Sequence, residues 1–216
     1  MVLTFEFEDK GPGGKKFSCP IKCHRCTAKD TNGKECKRRV CIGLPYCWYH
    51  LQKKEKLKIK DSQWGKGLFA WDPENNPGKN AHINKNKVVF KNGDNIGKYD
   101  GEIISSAENT RRYGKKTGPY SLGHGTKGNK EDAACKRTFA SLVNHQDNAN
   151  QNAELISHRE SDRHPWEAWI QAKKNIKNGQ EIFISYTNKN LNKKHAYRFD
   201  ENIRYTTKNK SKRKRK

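Results

Sequence analysis

Between Cys19 and His50 the sequence reads CPIKCHRCTAKDTNGKECKRRVCIGLPYCWYH: six cysteines and a closing histidine set among many Lys and Arg and few aliphatic side chains. A stretch of that composition cannot bury a core of its own and needs a staple. The spacing is Cys19-x3-Cys23-x2-Cys26-x9-Cys36-x4-Cys41-x5-Cys47-x2-His50. A Cys-x2-His pair close to other thiols suits zinc, because each thiolate is a soft anionic ligand and a short loop lets two neighbours reach one tetrahedral ion. The N-terminal MVLTFEFEDK lacks the basic-then-apolar pattern of a secretory signal, and no run of about 18 apolar residues predicts a membrane span. An intracellular chain with no membrane contact is therefore expected, and in that reducing setting metal explains the cysteines better than disulfides. Cys135 stands outside the cluster and is expected to be a buried small hydrophobe.

The rest of the chain must supply the core. Only 31% of its 216 residues are hydrophobic, which allows one ordinary domain and a small module. Lys+Arg 46 against Asp+Glu 23 give a net charge of +23, which favours acidic partners such as nucleic acid, nucleosomes or acidic protein surfaces. In VLTFEFE, Leu3, Phe5 and Phe7 alternate with Thr4, Glu6 and Glu8, the pattern of a half-buried strand. From about Leu57 short apolar pieces recur between Gly, Asn and Pro signals: LKIK, GLFAW, KVVF, YDGEII, FASLV, AELIS, WEAWIQA and EIFISY. Strands dominate this reading. Helices are expected only in LQKKEKLK after His50 and in NKKHAYRFDENIR, while Arg111 to Asp132 reads as an irregular connection. The closing KNKSKRKRK has nothing to pack and is expected to be disordered, as a nuclear address, a nucleic-acid contact or a solvated charge run.

Four motifs occur in order: WGKGLFA (64–70), GDNIGKYDGEII (93–104), FASLVNHQDNANQNAEL (139–155) and IKNGQEIFISY (176–186). Each alone is a common turn or strand pattern. In this order and at these distances they resemble the SET domain of S-adenosylmethionine-dependent protein lysine methyltransferases, over roughly Leu57 to Tyr205. The stretch RCTAKDTNGKECKRRVCIGLPYCWYH likewise resembles a Cys3His element of large-DNA-virus proteins, and the whole resembles viral or protist members of the SET family. That resemblance implies a mainly β SET fold of short curved sheets with a C-terminal pseudoknot and few short helices, plus a small zinc-stabilised N-terminal module. The expected layout is a strand and linker at 1–18, the zinc module at 19–54, the SET domain at 55–190, a lid segment at 191–206 and a basic tail at 207–216.

The resemblance also implies roles. Cys26, Cys36, Cys47 and His50 become the ligands of a structural zinc, with Cys19, Cys23 and Cys41 spare or part of a second site. Lys66, Gly67 and Leu68 would bring main chain against the methionine part of the cofactor, Gly67 because a Cβ would obstruct the approach. Asn144 and His145 match the start of the family's N-H-S-x-x-P-N segment and would bind S-adenosylmethionine; Gln146 replaces the Ser, the Pro is absent, and the closing residue is Asn150 or Asn152. The amide run LVNHQDNANQN then reads as a polar network, since two crossing backbone segments leave groups that regular sheet cannot pair. Tyr186 matches the catalytic tyrosine and also borders the cofactor; Tyr99 would line the lysine channel, with Tyr120 a further lining residue. Gly101 and Glu102 read as structural, and Ile184 sits where many members carry the aromatic that tunes the number of methyl groups. No cysteine follows Cys135, so Tyr197, Phe199 and Tyr205 are expected to cover the site as an aromatic lid. The implied activity is methyl transfer to a lysine amine of a protein, with a histone as substrate, a nuclear setting and a nucleic-acid contact through the basic surface. The alternative is a catalytically weak SET scaffold that binds chromatin or nucleic acid.

Overall fold

The computed structural model describes residues 3–8, 14–21, 23–30, 32–40, 44–63, 65–74, 84–114, 118–123, 129–136, 138–146, 150–158, 167–186 and 203–207. Along the chain these form β1 Leu3–Glu8, β2 Lys16–Ile21, β3 His24–Arg25, β4 Arg39–Val40, α1 Trp48–Glu55, β5 Leu57–Ser62, β6 Gly65–Ala70, β7 Val88–Phe90, β8 Asn95–Tyr99 and β9 Glu102–Ile104. There follow α2 Ser106–Tyr113, β10 Ser121–Gly123, β11 Lys130–Asp132, a 3-10 turn Phe139–Leu142, β12 Asn144–His145, β13 Ala153–His158, β14 Glu167–Ala172, β15 Ile176–Lys177, β16 Phe183–Ile184 and β17 Ile203–Thr207. The architecture is mainly β, as expected, and its elements group into two compact units interleaved along the chain.

One unit holds β1 to β4, β9, α2, β10, β11 and β17. Its first sheet has the order β17-β1-β2, antiparallel throughout, with Phe5 opposite Cys19 and Tyr205. The alternation in β1 works as read: Phe5 and Phe7 are buried and join Ile21, Tyr113 and Ala134 in one apolar cluster. Phe7 and Tyr113 meet edge to face at 5.1 Å between centroids, a favoured aromatic geometry. The second sheet, β10-β11-β9, falls partly in the stretch expected to be irregular. So does the end of α2, whose start carries a capping box: the Ser105 hydroxyl accepts from the Glu108 backbone N–H at 3.1 Å.

Asp132 is wholly buried and fully partnered, which a buried carboxylate requires. It accepts from the Tyr113 hydroxyl at 2.8 Å, Arg112 Nη1 at 2.9 Å and the Ala134 N–H at 3.0 Å. Burial, reinforced by the Asp132 charge, pushes the Tyr113 phenol well above its ordinary range. Cys135 is not a free hydrophobe: it forms a disulfide with Cys19, 116 residues away, and Cys23 is also disulfide-bonded. The expectation that metal explains the cysteines better than disulfides is corrected for Cys19, Cys23 and Cys135.

The other unit holds α1, β5 to β8, the 3-10 turn and β12 to β16. The α1 helix starts at Trp48, three residues before the stretch expected to be helical, and stops at Lys56, which takes a left-handed φ of 52° and returns its N–H to the Gln52 carbonyl. LKIK then runs as β5, paired with β6 in a hairpin. A three-stranded antiparallel sheet, β13-β14-β8, carries Ala168, Ile170 and Ala172 inward on alternate positions of β14. Leu57, Leu68, Ala70, Ile170, Ile176 and Ile182 form the solvent-free centre of this core.

Candidate functional site

The C-terminal strand and the amide loop meet here. β12 lies parallel to β16, Asn144 opposite Phe183 and His145 opposite Ile184. Parallel pairing between segments so short leaves backbone groups without ladder partners, and the amide side chains take them. Asn152 Oδ1 accepts the Phe183 N–H at 2.8 Å while its Nδ2 donates to the Glu181 carbonyl at 2.8 Å. Gln151 Oε1 accepts the Ser185 N–H at 3.0 Å, and the Gln146 N–H reaches the Ile184 carbonyl at 3.0 Å. Asn152, buried against β16, therefore occupies the position left open between Asn150 and Asn152.

Tyr186 is fixed at both ends by this crossing. Its backbone N–H donates to His145 Nδ1 at 3.0 Å, and its hydroxyl donates to the Val143 carbonyl at 2.6 Å. The first bond needs a lone pair on Nδ1, which puts the neutral imidazole proton on Nε2. The two rings lie 5.2 Å apart between centroids. With its proton committed to Val143, the phenol presents oxygen lone pairs as acceptors.

Asn144 connects this crossing to the glycine turn. Its Nδ2 donates to Glu181 Oε1 at 2.8 Å and approaches the Lys66 carbonyl at 3.4 Å, leaving Oδ1 as an acceptor. The other Glu181 oxygen accepts from Ser62 Oγ at 2.9 Å. Here Gly67 is compulsory, since a Cβ would stand 2.2 Å from Glu181 Oε1 and 2.9 Å from Asn144 Nδ2. Leu68 is buried in the core, so only main chain at Lys66 and Gly67 is offered to a ligand. Glu181 was not singled out in the sequence; its place just before the IFISY strand end is the signal that could have found it.

The structure thus brings Lys66, Gly67, Asn144, His145 and Tyr186 into one bonded network. Tyr99 ends β8 opposite Ala168, and β8 is tied to the segment feeding Asn144. The Thr138 hydroxyl donates to the Lys98 carbonyl at 2.7 Å, and Phe139 lies where a Cβ on Gly97 would be. Tyr120 packs against Phe5 at 5.9 Å, in the aromatic cluster of the first unit. Gly101 and Glu102 are structural: the Gly101 N–H donates to buried Glu131, and Glu102 holds Arg112. Tyr205 lies on β17; Tyr197, Phe199 and the basic tail lie outside the described residues.

In the cysteine-rich stretch, the Cys26 N–H bonds the Arg38 carbonyl and the Cys36 N–H bonds the Ala28 carbonyl, both at 2.9 Å, closing a loop on the Asp30 turn. The ligand atoms of Cys26, Cys36, Cys47 and His50 all lie within 4.8 Å of one another. Cys47 Sγ and His50 Nδ1 are 3.5 Å apart, close to the edge of about 3.5 Å that tetrahedral zinc with ordinary bond lengths imposes. Three thiols and one imidazole are a donor set that fits zinc.

Residues 82–187, just under half of the chain, match the family model of the SET domain. Among solved structures, similar chains occur in polycomb repressive complex 2. One is from Chaetomium thermophilum, at 23% identity, TM-score 0.46, over 62% of this chain and 15% of that one. Another is an active complex in the stimulated state, at 26% identity, TM-score 0.47, over 64% and 16%. A third is an autoinhibited complex bound to S-adenosylmethionine, at 24% identity, TM-score 0.45, over 60% and 15%. The matched region thus spans about a sixth of those longer chains. No curated protein matches the sequence.

Proposed function

We propose that this chain transfers a methyl group from S-adenosylmethionine to the side-chain amine of a lysine in a protein, a histone being the substrate class that best fits a SET domain in a strongly basic chain. The observation that carries this reading is the convergence of the glycine turn, the Asn144–His145 pair and Tyr186 through contacts of 2.6 to 3.4 Å. The donor set fits the cofactor: Asn144 Oδ1 suits an ammonium, His145 Nε2–H suits an anionic or ring-nitrogen acceptor, and the Gly67 main chain permits close approach. When bound, S-adenosylmethionine supplies an electrophilic methyl on a sulfonium.

Everything else falls to the protein. Displacement needs the lysine nitrogen in line with the methyl, and positioning of that kind is worth up to about 7–11 kcal/mol in model systems. Tyr186, locked by His145 and Val143, holds its oxygen as an acceptor that directs the amine and polarised C–H or N–H groups. Tyr99 is assigned to the channel wall. An apolar channel disfavours the ammonium form, so the attacking amine is delivered neutral. Cys26, Cys36, Cys47 and His50 hold a structural zinc, since four protein ligands leave no open position. No helix of the described residues is long and apolar enough to cross a membrane; a nuclear setting follows from the histone assignment.

The test is incubation with labelled S-adenosylmethionine and a histone panel, with Tyr186→Phe beside the parent. Loss of the Val143 bond and the phenol oxygen should slow transfer roughly ten- to a hundredfold, equivalent to about 1.4–2.7 kcal/mol of barrier. Equal labelling by both proteins overturns the tyrosine's role. Cofactor binding without transfer to any protein overturns the enzyme reading in favour of a binding scaffold.

A further inference from the structure

Two of the three large hydrophobic side chains that stand exposed among the described residues are neighbours on α1, and neither is used by the site above. Trp48 is 64% exposed and Tyr49 43%. Their rings meet edge to face, 6.0 Å between centroids at 84°, so each steadies the other while broad ring surface stays open. At helical spacing Trp48, Tyr49, Gln52 and Lys53 share one arc of about 140°, and Leu51, the buried residue of the helix, lies on the other side.

The same short segment is cationic. Residues 46–60 carry five lysines (53, 54, 56, 58 and 60) against Glu55, a net charge of +4 by that count. Lys58 and Lys60 are held over the rings of Trp71 and Phe69 at 3.8 and 4.5 Å. Lys53, Lys54 and Lys56 stand exposed. Flat aromatic surface and exposed positive charge thus lie within nine residues.

A partner must answer both features. An acidic peptide would neutralise the lysines and leave the rings uncovered. A bilayer calls for further aliphatic side chains beside the tryptophan, and the exposed arc offers Gln52 instead. Duplex DNA keeps its base faces stacked away. A single strand supplies phosphates every nucleotide and unpaired bases whose faces stack on aromatic rings. We propose that Trp48 to Lys56 is a docking site for single-stranded nucleic acid. One base stacks on Trp48, and the flanking phosphates lie against Lys53 and Lys56. This site is independent of methyl transfer and stands or falls without it.

The experiment is fluorescence anisotropy of a labelled oligothymidylate on the full chain, with an abasic oligonucleotide of equal length and oligoglutamate as comparison ligands. The parent should bind oligothymidylate more tightly than the abasic strand. Trp48→Ala should weaken oligothymidylate binding about tenfold and leave abasic binding unchanged. Trp48→Phe should retain most of the affinity. Lys53→Gln/Lys56→Gln, both at exposed positions, should weaken both strands and reduce the log–log salt slope by about 1.4. The proposal is overturned if the abasic strand binds as tightly as oligothymidylate, if Trp48→Ala changes nothing, or if oligoglutamate displaces the strand as well as unlabelled oligothymidylate does.

Discussion

Gly67, Glu181 and Asn144 define a test of whether the glycine turn and the pseudoknot are one mechanical unit. In Gly67→Ala the new methyl would stand 2.2 Å from Glu181 Oε1 and 2.9 Å from its Cδ, so the carboxylate must leave. It would give up the bonds from Asn144 at 2.8 Å and Ser62 at 2.9 Å. Hydrogen bonds to a charged acceptor are worth about 1.5–3 kcal/mol each, and because Glu181 is only partly buried water recovers some of that, so we expect a loss of about 2–4 kcal/mol. Glu181→Ala should cost about 2–3 kcal/mol by removing the same acceptors. In the double variant the methyl introduced by Gly67→Ala enters the space the carboxylate has left. Gly67 is not among the residues of positive φ, so alanine there carries no backbone strain and gains about 0.4–1 kcal/mol from a less flexible unfolded chain. The double variant should therefore be no worse than Glu181→Ala alone, a coupling of at least about 1.5 kcal/mol. Urea titration gives the three stabilities, and calorimetry with S-adenosylmethionine gives cofactor affinity, which should fall in all three variants as Asn144 loses its anchor. Stabilities that add to within about 0.5 kcal/mol would refute the shared carboxylate as the link.

Three further outcomes follow. Cys47→Ser should lower zinc content, read by metal analysis of the purified chain, from one ion per chain toward none and melt the segment around α1; retention of a full equivalent would remove Cys47 from the ligand set. The Arg111 and then the Arg112 hydrogen bonds hold the Glu108 carboxyl down at about 2, from an ordinary 4.5. A depressed carboxyl stabilises the fold above its unfolded value, so this contribution should be intact above about pH 4.5 and vanish as pH falls toward 2; Glu108→Gln should flatten the acid limb of the thermal-melt profile, and an unchanged limb would count against it. The double variant Cys19→Ser/Cys135→Ser should lose up to about 5 kcal/mol, the loop-closure value for a bridge spanning 116 residues, in urea titration, and dithiothreitol should then shift the midpoint less than in the parent, only through the Cys23 disulfide; an equal shift in both would count against the bridge.

Much of this site could be read from the sequence, and the parts that could not have physical reasons. Asn144, His145 and Tyr186 were legible through the resemblance of the ordered motifs to the SET domain, and the structure bonds Tyr186 directly to His145 and to Val143 just before Asn144. Which amide closes the loop was not legible: Asn150 and Asn152 differ by one alternation, and only the parallel register against Phe183 selects Asn152. Glu181 escaped notice because a glutamate after Gln180 at the edge of an apolar run reads as a solvent-facing strand position, whereas its carboxylate is shared by Asn144 and Ser62. The Cys19–Cys135 bridge could not be read because spacing says nothing of which distant thiols meet. The packing of Tyr120 on Phe5 is a long-range contact that local pattern does not carry. α2 was missed, because the scattered glycines after it drew the reading to a loop, although Ser105-x-x-Glu108 was a start signal that could have found it.

On the proposed function, the parallel laying of β16 along β12 makes cofactor capture depend on residues 180–186. A fragment ending before Gln180 would keep the glycine turn and every amide from Asn144 to Asn152, yet those amides would have no backbone to grip and no phenol to lock. Such a fragment should be blind to S-adenosylmethionine, so seven residues made after all the other contributors act as a latch on the site.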